Sequence, residues 1–212
     1  MANALLATNI TGIVSTMRRL FQIILIALIS CIATPVLPQD ALVVPPKPAK
    51  AAICEACHGQ EGNSTDPRYP ILAGQSWRYI YIELKDFSQG RRSDPQMSPI
   101  TLGLTGDEMI DLGNWFAAQK HLPNGFKADP AKVAAGKAKA DENLCEMCHL
   151  GNLAGQNEIP RVAGQHYAYV LKQLQDFKAR IRTNDGGNMT SVASSLSDVD
   201  IENLAQYAAD LK

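Results

Sequence analysis

Two short motifs hold the residues with the clearest chemistry in this chain of 212 residues. Residues 54–58 read CEACH and residues 145–149 read CEMCH. A Cys-x-x-Cys pair can be a redox dithiol, half of a zinc site or the anchor of a haem. A histidine directly after the second cysteine is the signature of c-type haem attachment. The two thiols, one helical turn apart, reach both vinyl groups while the histidine reaches the iron.

The other interpretations of the motif fit less well. A zinc site needs a fourth ligand, and zinc-finger histidines follow their cysteines at a distance. A thioredoxin-like dithiol belongs to a βαβ unit, and a disulfide across two residues gives the adjacent histidine no role. We therefore expect two covalently bound haem c groups, one on Cys54 and Cys57 and the other on Cys145 and Cys148.

The motif is part of a longer internal duplication. Residues 69–92 align with residues 159–182, and both segments contain the tripeptide Ala-Gly-Gln. Further on, residues 112–120 align with residues 204–212. The repeat predicts two domains joined in tandem. The expected organisation is a leader (1–33), a proline-rich tether (34–50), a first cytochrome c domain (51–120), a linker (121–130) and a second cytochrome c domain (131–212).

The first 33 residues are typical of an export signal. Arg18 and Arg19 precede an apolar stretch of signal-peptide length, which predicts a periplasmic protein. Cleavage after Ala33 is one outcome. Residues 28–31 read LISC, which resembles a lipobox, so anchoring to the membrane through Cys31 or through an uncleaved leader is another. The interpretation that we favour for Cys31 itself is a small apolar residue within the leader.

Four of the six methionines have an assignment other than iron binding. Two belong to the leader, one is a variable position inside the second motif, and one aligns with Ile201 on a helix and is expected in the core; these are Met1, Met17, Met147 and Met109. The remaining two, Met97 and Met189, occupy matched positions that we expect to be loops. We predict them as the sixth iron ligands, opposite His58 and His149 respectively.

Several residues near the motifs are expected to support the sites. The carbonyls of Pro70 and Pro160 precede the shared Ala-Gly-Gln and are candidates to orient the proximal imidazoles. Tyr79 and Tyr169 are expected to be haem-edge partners or helix-packing residues. Arg92 and Arg182 are expected to be propionate partners or, as we favour, solvated surface residues. His121 and His166 do not recur between the repeats and are expected on the surface.

The elements that must position these residues are helices. Apolar side chains recur at helical spacing over residues 77–87 and 167–177. Residues 105–108 form a capping box, and residues 197–200 nearly repeat it. Asp129 is a predicted N-cap with Pro130 at the first helical position. No convincing strand is found, so the predicted class is all-α.

At this point the chain resembles the dihaem cytochromes c of the cytochrome c4 family. Two CxxCH units are each followed by P-x-x-AGQ, by Y…L…F…R and by a methionine, over residues 50–212. The resemblance implies two class-I-like domains about a pseudo-twofold axis, with haem propionates facing across the interface. It also implies periplasmic electron transfer toward a terminal oxidase, often with membrane association. The second motif departs from the first by lacking a glycine directly after its histidine.

The function expected from these residues is electron transport in a respiratory chain. With methionine on both irons, little room is left for a substrate, so the protein is predicted to be an outer-sphere carrier and not an enzyme. The alternatives are a dihaem enzyme, of peroxidase or thiosulfate-oxidising type, and a haem subunit of a membrane dehydrogenase complex. The expected partners are redox protein donors and a terminal oxidase or other acceptor. A net charge of −1 without a dense basic patch argues against nucleic acid.

Overall fold

The structure, a computed structural model, describes residues 44–212. The predicted leader with Cys31, and the tether up to residue 43, lie outside the described residues. The described end of the tether packs on the protein, because Lys50 Nζ donates to Glu108 Oε2 at 2.7 Å and to the Gly103 carbonyl at 2.8 Å. No helix within residues 44–212 is long and apolar enough to cross a membrane.

Residues 44–212 are helical, as predicted, and contain no strand. An isolated bridge joins Gln156 and Ile159. The α-helices are α1 (Ala51–His58), α2 (Trp77–Ser88), α3 (Met97–Thr101), α4 (Gly106–Ala117), α5 (Pro130–Glu142), α6 (Cys145–His149), α7 (Tyr167–Lys178), α8 (Asn188–Ser195) and α9 (Asp198–Asp210). One turn of 3₁₀-helix follows each CxxCH motif, at Gln60–Gly62 and Gly151–Leu153.

The helix boundaries follow the capping signals in the sequence. The Thr105 side chain accepts a hydrogen bond from the Glu108 amide while the Glu108 carboxylate accepts from the Thr105 amide, so α4 begins with a complete capping box. Ser197 and Asp200 form the same arrangement at α9. The Asp129 side chain caps α5. These predictions are confirmed.

The buried apolar side chains form two separate cores, one in each repeat. The first lies between α1, α2 and α4, and consists of Ala51, Ile80, Leu84, Met109, Leu112, Trp115 and Phe116. The second lies between α5, α7 and α9, and includes Ala140, Val170, Ile201, Leu204 and Tyr207. Met109 is thus a core residue, as expected. The two cores support the proposed division into two domains.

A glycine sets the helix packing in the second core. A β-carbon on Gly136 of α5 would collide with the backbone carbonyl of Asn203 in α9. The two helices cross so closely that no larger residue fits at this position.

The linker is held to both repeats. The Asn63 side chain donates to the Lys120 carbonyl at 3.0 Å and accepts from the Leu122 amide at 2.9 Å. At the other end, the Asn124 side chain donates to the carbonyls of Gly164 and Ala209 at 2.9 and 2.8 Å. These contacts fix the path of the chain from one repeat to the next.

The two repeats contact each other through the same residues of each. Gln75 Nε2 donates to the Arg161 carbonyl and Gln75 Oε1 accepts from the Arg161 amide, both at 2.8 Å. Gln165 makes the same pair of bonds with Ile71, both at 2.9 Å. Ile71 and Arg161 are equivalent in the duplication, as are the two glutamines. The contact is therefore related by a pseudo-twofold axis, as expected for the fold.

Candidate haem-binding sites

Each motif histidine is oriented by a proline carbonyl. His58 Nδ1 lies 2.8 Å from the Pro70 oxygen, and His149 Nδ1 lies 2.8 Å from the Pro160 oxygen. A carbonyl oxygen can only accept, so each Nδ1 carries the proton and each Nε2 retains its lone pair for a metal. The predicted role of the two carbonyls is confirmed.

The surroundings of the histidines favour the same protonation state. Burial lowers the pKa of His58 and of His149, and the bonds to the proline carbonyls offset this only in part. Both imidazoles are therefore neutral at neutral pH. Neutral imidazole is the form that ligates a metal.

The four motif cysteines are free thiols in the described part of the chain. Each pair is spaced three residues apart on a short helix, α1 or α6, so both thiols of a pair lie on one face. Burial raises the pKa of Cys54 to about 11 and raises that of Cys145 as well. Cys54 packs against the first core and Cys145 against the second. Free thiols beside an oriented imidazole fit covalent attachment of haem in both repeats.

The predicted methionine loops are short helices, so that detail of the prediction is wrong. Met97 is the first residue of α3, and Met189 is the second residue of α8. An aspartate stabilises each first turn. Asp94 Oδ1 accepts from the Met97 amide at 2.9 Å, and Asp185 Oδ2 accepts from the Thr190 amide at 2.6 Å. Each aspartate, placed before the N-cap residue, thus gives a partner to a first-turn amide that has none within its helix.

The two methionines differ in their packing. Met97 is half-buried against the first core, as is Cys54. Met189 is half-buried, and it is not among the described side chains that pack on the second core. Their assignment as axial ligands remains a prediction.

A glutamate inside each motif holds the turn that follows it. Glu55 Oε1 accepts from the Glu61 amide at 2.8 Å, and Glu146 Oε1 accepts from the Asn152 amide at 3.0 Å. Sequence reasoning did not single out these residues. The signal was present, because both motifs read Cys-Glu-x-Cys-His.

The turn itself keeps one backbone conformation with different residues. Gly59 has φ 76° and ψ 166°, and Leu150 has φ 58° and ψ 170° in the second repeat. This region is essentially restricted to glycine, and a side chain there costs about 1–3 kcal/mol. The glycine missing from the second motif is thus replaced by a strained leucine without a change of path.

The histidines outside the motifs do not lie on the surface as expected. His166 is only 4% exposed, and its Nε2 lies 3.0 Å from the Ser64 carbonyl of the other repeat. His121 is half-buried in the linker, with its ring against Gly164. Both are covered by the contact between the repeats, which the sequence of one repeat does not reveal.

The expectation of solvated arginines is also wrong. The side chains of Arg92 and Arg182 are 11% and 8% exposed and both contact Glu83. The hydroxyls of Tyr79 and Tyr169 accept hydrogen bonds from these arginines. The proposed contact of the arginines with haem propionates remains a prediction.

Comparison with known proteins agrees with this geometry. The family model "Cytochrome c" matches residues 133–212. Cytochrome c4 of Pseudomonas aeruginosa is 40% identical over 174 residues, which covers 77% of this chain and 86% of that protein. The thiosulfate dehydrogenase electron acceptor of Thiomonas intermedia is 31% identical, over 76% of this chain and 80% of that protein.

A solved structure shows the same architecture. The crystal structure of reduced recombinant cytochrome c4 from Pseudomonas stutzeri superposes with a TM-score of 0.72 at 37% identity. The match covers 77% of this chain and 95% of that one. The two CxxCH motifs fit the two covalently bound haem c groups of such dihaem proteins. The chain belongs to the cytochrome c4 family, the dihaem c-type cytochromes that transfer electrons.

Proposed function

We propose that this protein is a periplasmic electron carrier, and not an enzyme, that passes one electron per haem between a respiratory donor and a terminal oxidase or other acceptor. The observation that carries the proposal is a methionine at the matched position of each repeat, Met97 at the start of α3 and Met189 at the start of α8. Both imidazoles donate from Nδ1 to a proline carbonyl at the same 2.8 Å distance. A dihaem enzyme needs one site that differs enough to admit a substrate.

In this proposal each repeat holds one haem with four side chains. Two cysteines would form the thioethers, and a histidine and a methionine would bind the iron. The sets are Cys54, Cys57, His58 and Met97 in the first repeat, and Cys145, Cys148, His149 and Met189 in the second. The bound haem supplies a one-electron iron couple. The buried histidines would bind the iron through their unprotonated Nε2, and the thioether of each methionine would favour the reduced state and leave little room for a small ligand.

The experiment is visible spectroscopy of the exported holoprotein and of three methionine variants. We expect Met97→Leu and Met189→Leu each to lose the thioether-to-iron absorption band of one haem and to bind carbon monoxide when reduced. Met109→Leu is the matched control, because Met109 lies in the first core and leucine conserves its volume. Carbon monoxide binding by the reduced unsubstituted protein would contradict the carrier function and favour a dihaem enzyme.

A second candidate donor is a thiosulfate dehydrogenase. It is supported by the similarity to the Thiomonas intermedia protein, which is described as an electron acceptor of that enzyme. Stopped-flow mixing of the oxidised protein with such a dehydrogenase and thiosulfate would show haem reduction within the enzyme's turnover time. Reduction no faster than by thiosulfate alone would remove this candidate.

Export and anchoring are proposed from the leader sequence. Intact-mass spectrometry of the protein from periplasmic and membrane fractions distinguishes cleavage after Ala33, lipid attachment at Cys31 and a retained leader. A soluble periplasmic form that begins at residue 34 is the outcome that fits a diffusing carrier. A lipid-modified form would favour a subunit tied to a membrane complex.

A further inference from the structure

Six side chains form a buried polar cluster where α2 of the first repeat faces α7 of the second. We call it the arginine cage, and it consists of Tyr79, Glu83, Arg92, Tyr169, Gln173 and Arg182. Arg92 Nη2 donates to Tyr169 Oη at 3.2 Å and to Gln173 Oε1 at 2.8 Å. Arg182 Nη2 donates to Tyr79 Oη at 3.1 Å and to Glu83 Oε1 at 2.5 Å. Each arginine therefore reaches across to the other repeat.

The cage obeys the pseudo-twofold relation at every position but one. The two tyrosines are equivalent in the duplication, and so are the two arginines. Each guanidinium also lies over a phenylalanine of its own repeat, Phe87 or Phe177, at 4.6 Å from the ring centre. The exception is the pair Glu83 and Gln173, in which the first repeat has a carboxylate and the second a neutral amide.

Glu83 is the acid on which both arginines converge. Arg92 Nη1 contacts Glu83 Oε2, and Arg182 Nη2 contacts Oε1. The Glu83 side chain is 12% exposed, so its charge is weakly screened by water. Burial lowers the pKa of Arg182, but Tyr79 and Glu83 raise it by more, and this guanidinium stays charged.

The other charged groups around the cage do not remove the difference in charge between Glu83 and Gln173. Asn184 Nδ2 donates to Glu83 and, at 2.7 Å, to Asp86 Oδ2. Asp86 is in turn paired with Arg91 at 2.6 Å. Asp86 has an acidic equivalent in the second repeat, Asp176, which pairs with Lys172. This acid therefore does not distinguish the repeats, whereas Glu83 has no acidic equivalent.

We propose that Glu83 makes the two haem sites electrically unequal, by lowering the reduction potential of the first-repeat site more than that of the second. A buried negative charge stabilises the oxidised, more positive state of a nearby iron. Glu83 lies on α2, which packs on the core that Cys54 and Met97 also contact. The equivalent position of the second repeat has no charge to exert this effect. The inference rests on the two proposed haem sites and not on the identity of any partner.

The test is a spectroelectrochemical titration of the holoprotein and of three variants. Glu83→Gln makes the cage symmetric, Gln173→Glu adds the acid to the second repeat, and the double variant moves it from one repeat to the other. We expect Glu83→Gln to raise the first-repeat potential more than the second. The equilibrium constant for electron exchange between the haems should change by about threefold to tenfold, and tenfold corresponds to about 59 mV. The double variant should change that constant further in the same direction.

A purely structural role predicts a different result. Glu83→Gln would then lower the thermal midpoint and leave the separation between the two potentials as it was, which overturns the proposal. If that variant does not fold, the double variant decides, because it keeps one carboxylate in the cage. An unchanged separation in the double variant also overturns the proposal. Failure of the proposed haem sites would be seen separately, as fewer than two haems per chain in the unsubstituted protein.

Discussion

Gln165 offers a direct measure of how strongly the two repeats are held together. Its side chain pairs with both backbone polar groups of Ile71, across the contact between the repeats. Ile71 is 3% exposed, so water cannot replace the lost partner. Gln165→Leu keeps the size of the side chain and removes its polar atoms. Gln165 Oε1 also accepts from the buried His166 amide at 2.9 Å, so three backbone groups lose a partner. At about 1–3 kcal/mol for each group, the expected loss is about 3–9 kcal/mol.

The assay is guanidinium unfolding of the holoprotein followed by circular dichroism. Gln75→Leu is the matched variant, because Gln75 makes the equivalent bonds with Arg161. Arg161 is more exposed than Ile71, so water can solvate its freed groups and we expect a smaller loss. The reasoning would be refuted if Gln165→Leu lowered the free energy of unfolding by less than about 1 kcal/mol. It would also be refuted if Gln75→Leu lowered that free energy more than Gln165→Leu does.

Three further variants test local features. Gly59→Ala should destabilise the protein by about 1–3 kcal/mol in thermal unfolding, since φ is 76° and a β-carbon would collide with the Asn63 carbonyl; an unchanged midpoint would contradict this. Burial and then Arg161 hold the pKa of His121 at about 4, below the ordinary 6.5. The stability from neutral His121 is therefore present above pH 6.5 and lost as the pH falls toward 4. His121→Gln should reduce this loss of stability at acid pH by about 1 kcal/mol, a value lowered to allow for the half-exposed ring. Equal slopes of the free energy of unfolding against pH in the variant and the unsubstituted protein would argue against it. Thr105→Ala removes a helix cap and should lower the free energy of unfolding in urea by about 1 kcal/mol. An unchanged free energy of unfolding would contradict this prediction.

Features encoded by adjacent residues were predictable from the sequence. The capping boxes at Thr105 and Ser197 and the carbonyl of Pro70 beside His58 are examples, because each depends on residues a few positions apart. The duplication extended each of these predictions to the second repeat. The all-α class followed from the helical spacing of apolar residues.

Features that arise from the contact between repeats were not predictable in this way. His166 and Arg92 have polar side chains of types that are mostly exposed, and periodicity gives no sign of a partner surface. Their burial depends on how one repeat packs on the other. The helical turn at Met97 was missed for a different reason. A five-residue helix, with Asp94 bonded to its first amide, is too short to show an apolar period.

The reciprocal bonds of Gln75 and Gln165 also bear on the behaviour of the protein at low concentration. A contact in which each side contributes the same residues is the kind that two copies of a single chain form. Between separate chains such pairing weakens on dilution, whereas a covalent connection makes it intramolecular and sets an effective concentration of about millimolar. The linker, held by Asn63 and Asn124, provides that connection. The two redox centres therefore remain neighbours however dilute the protein becomes.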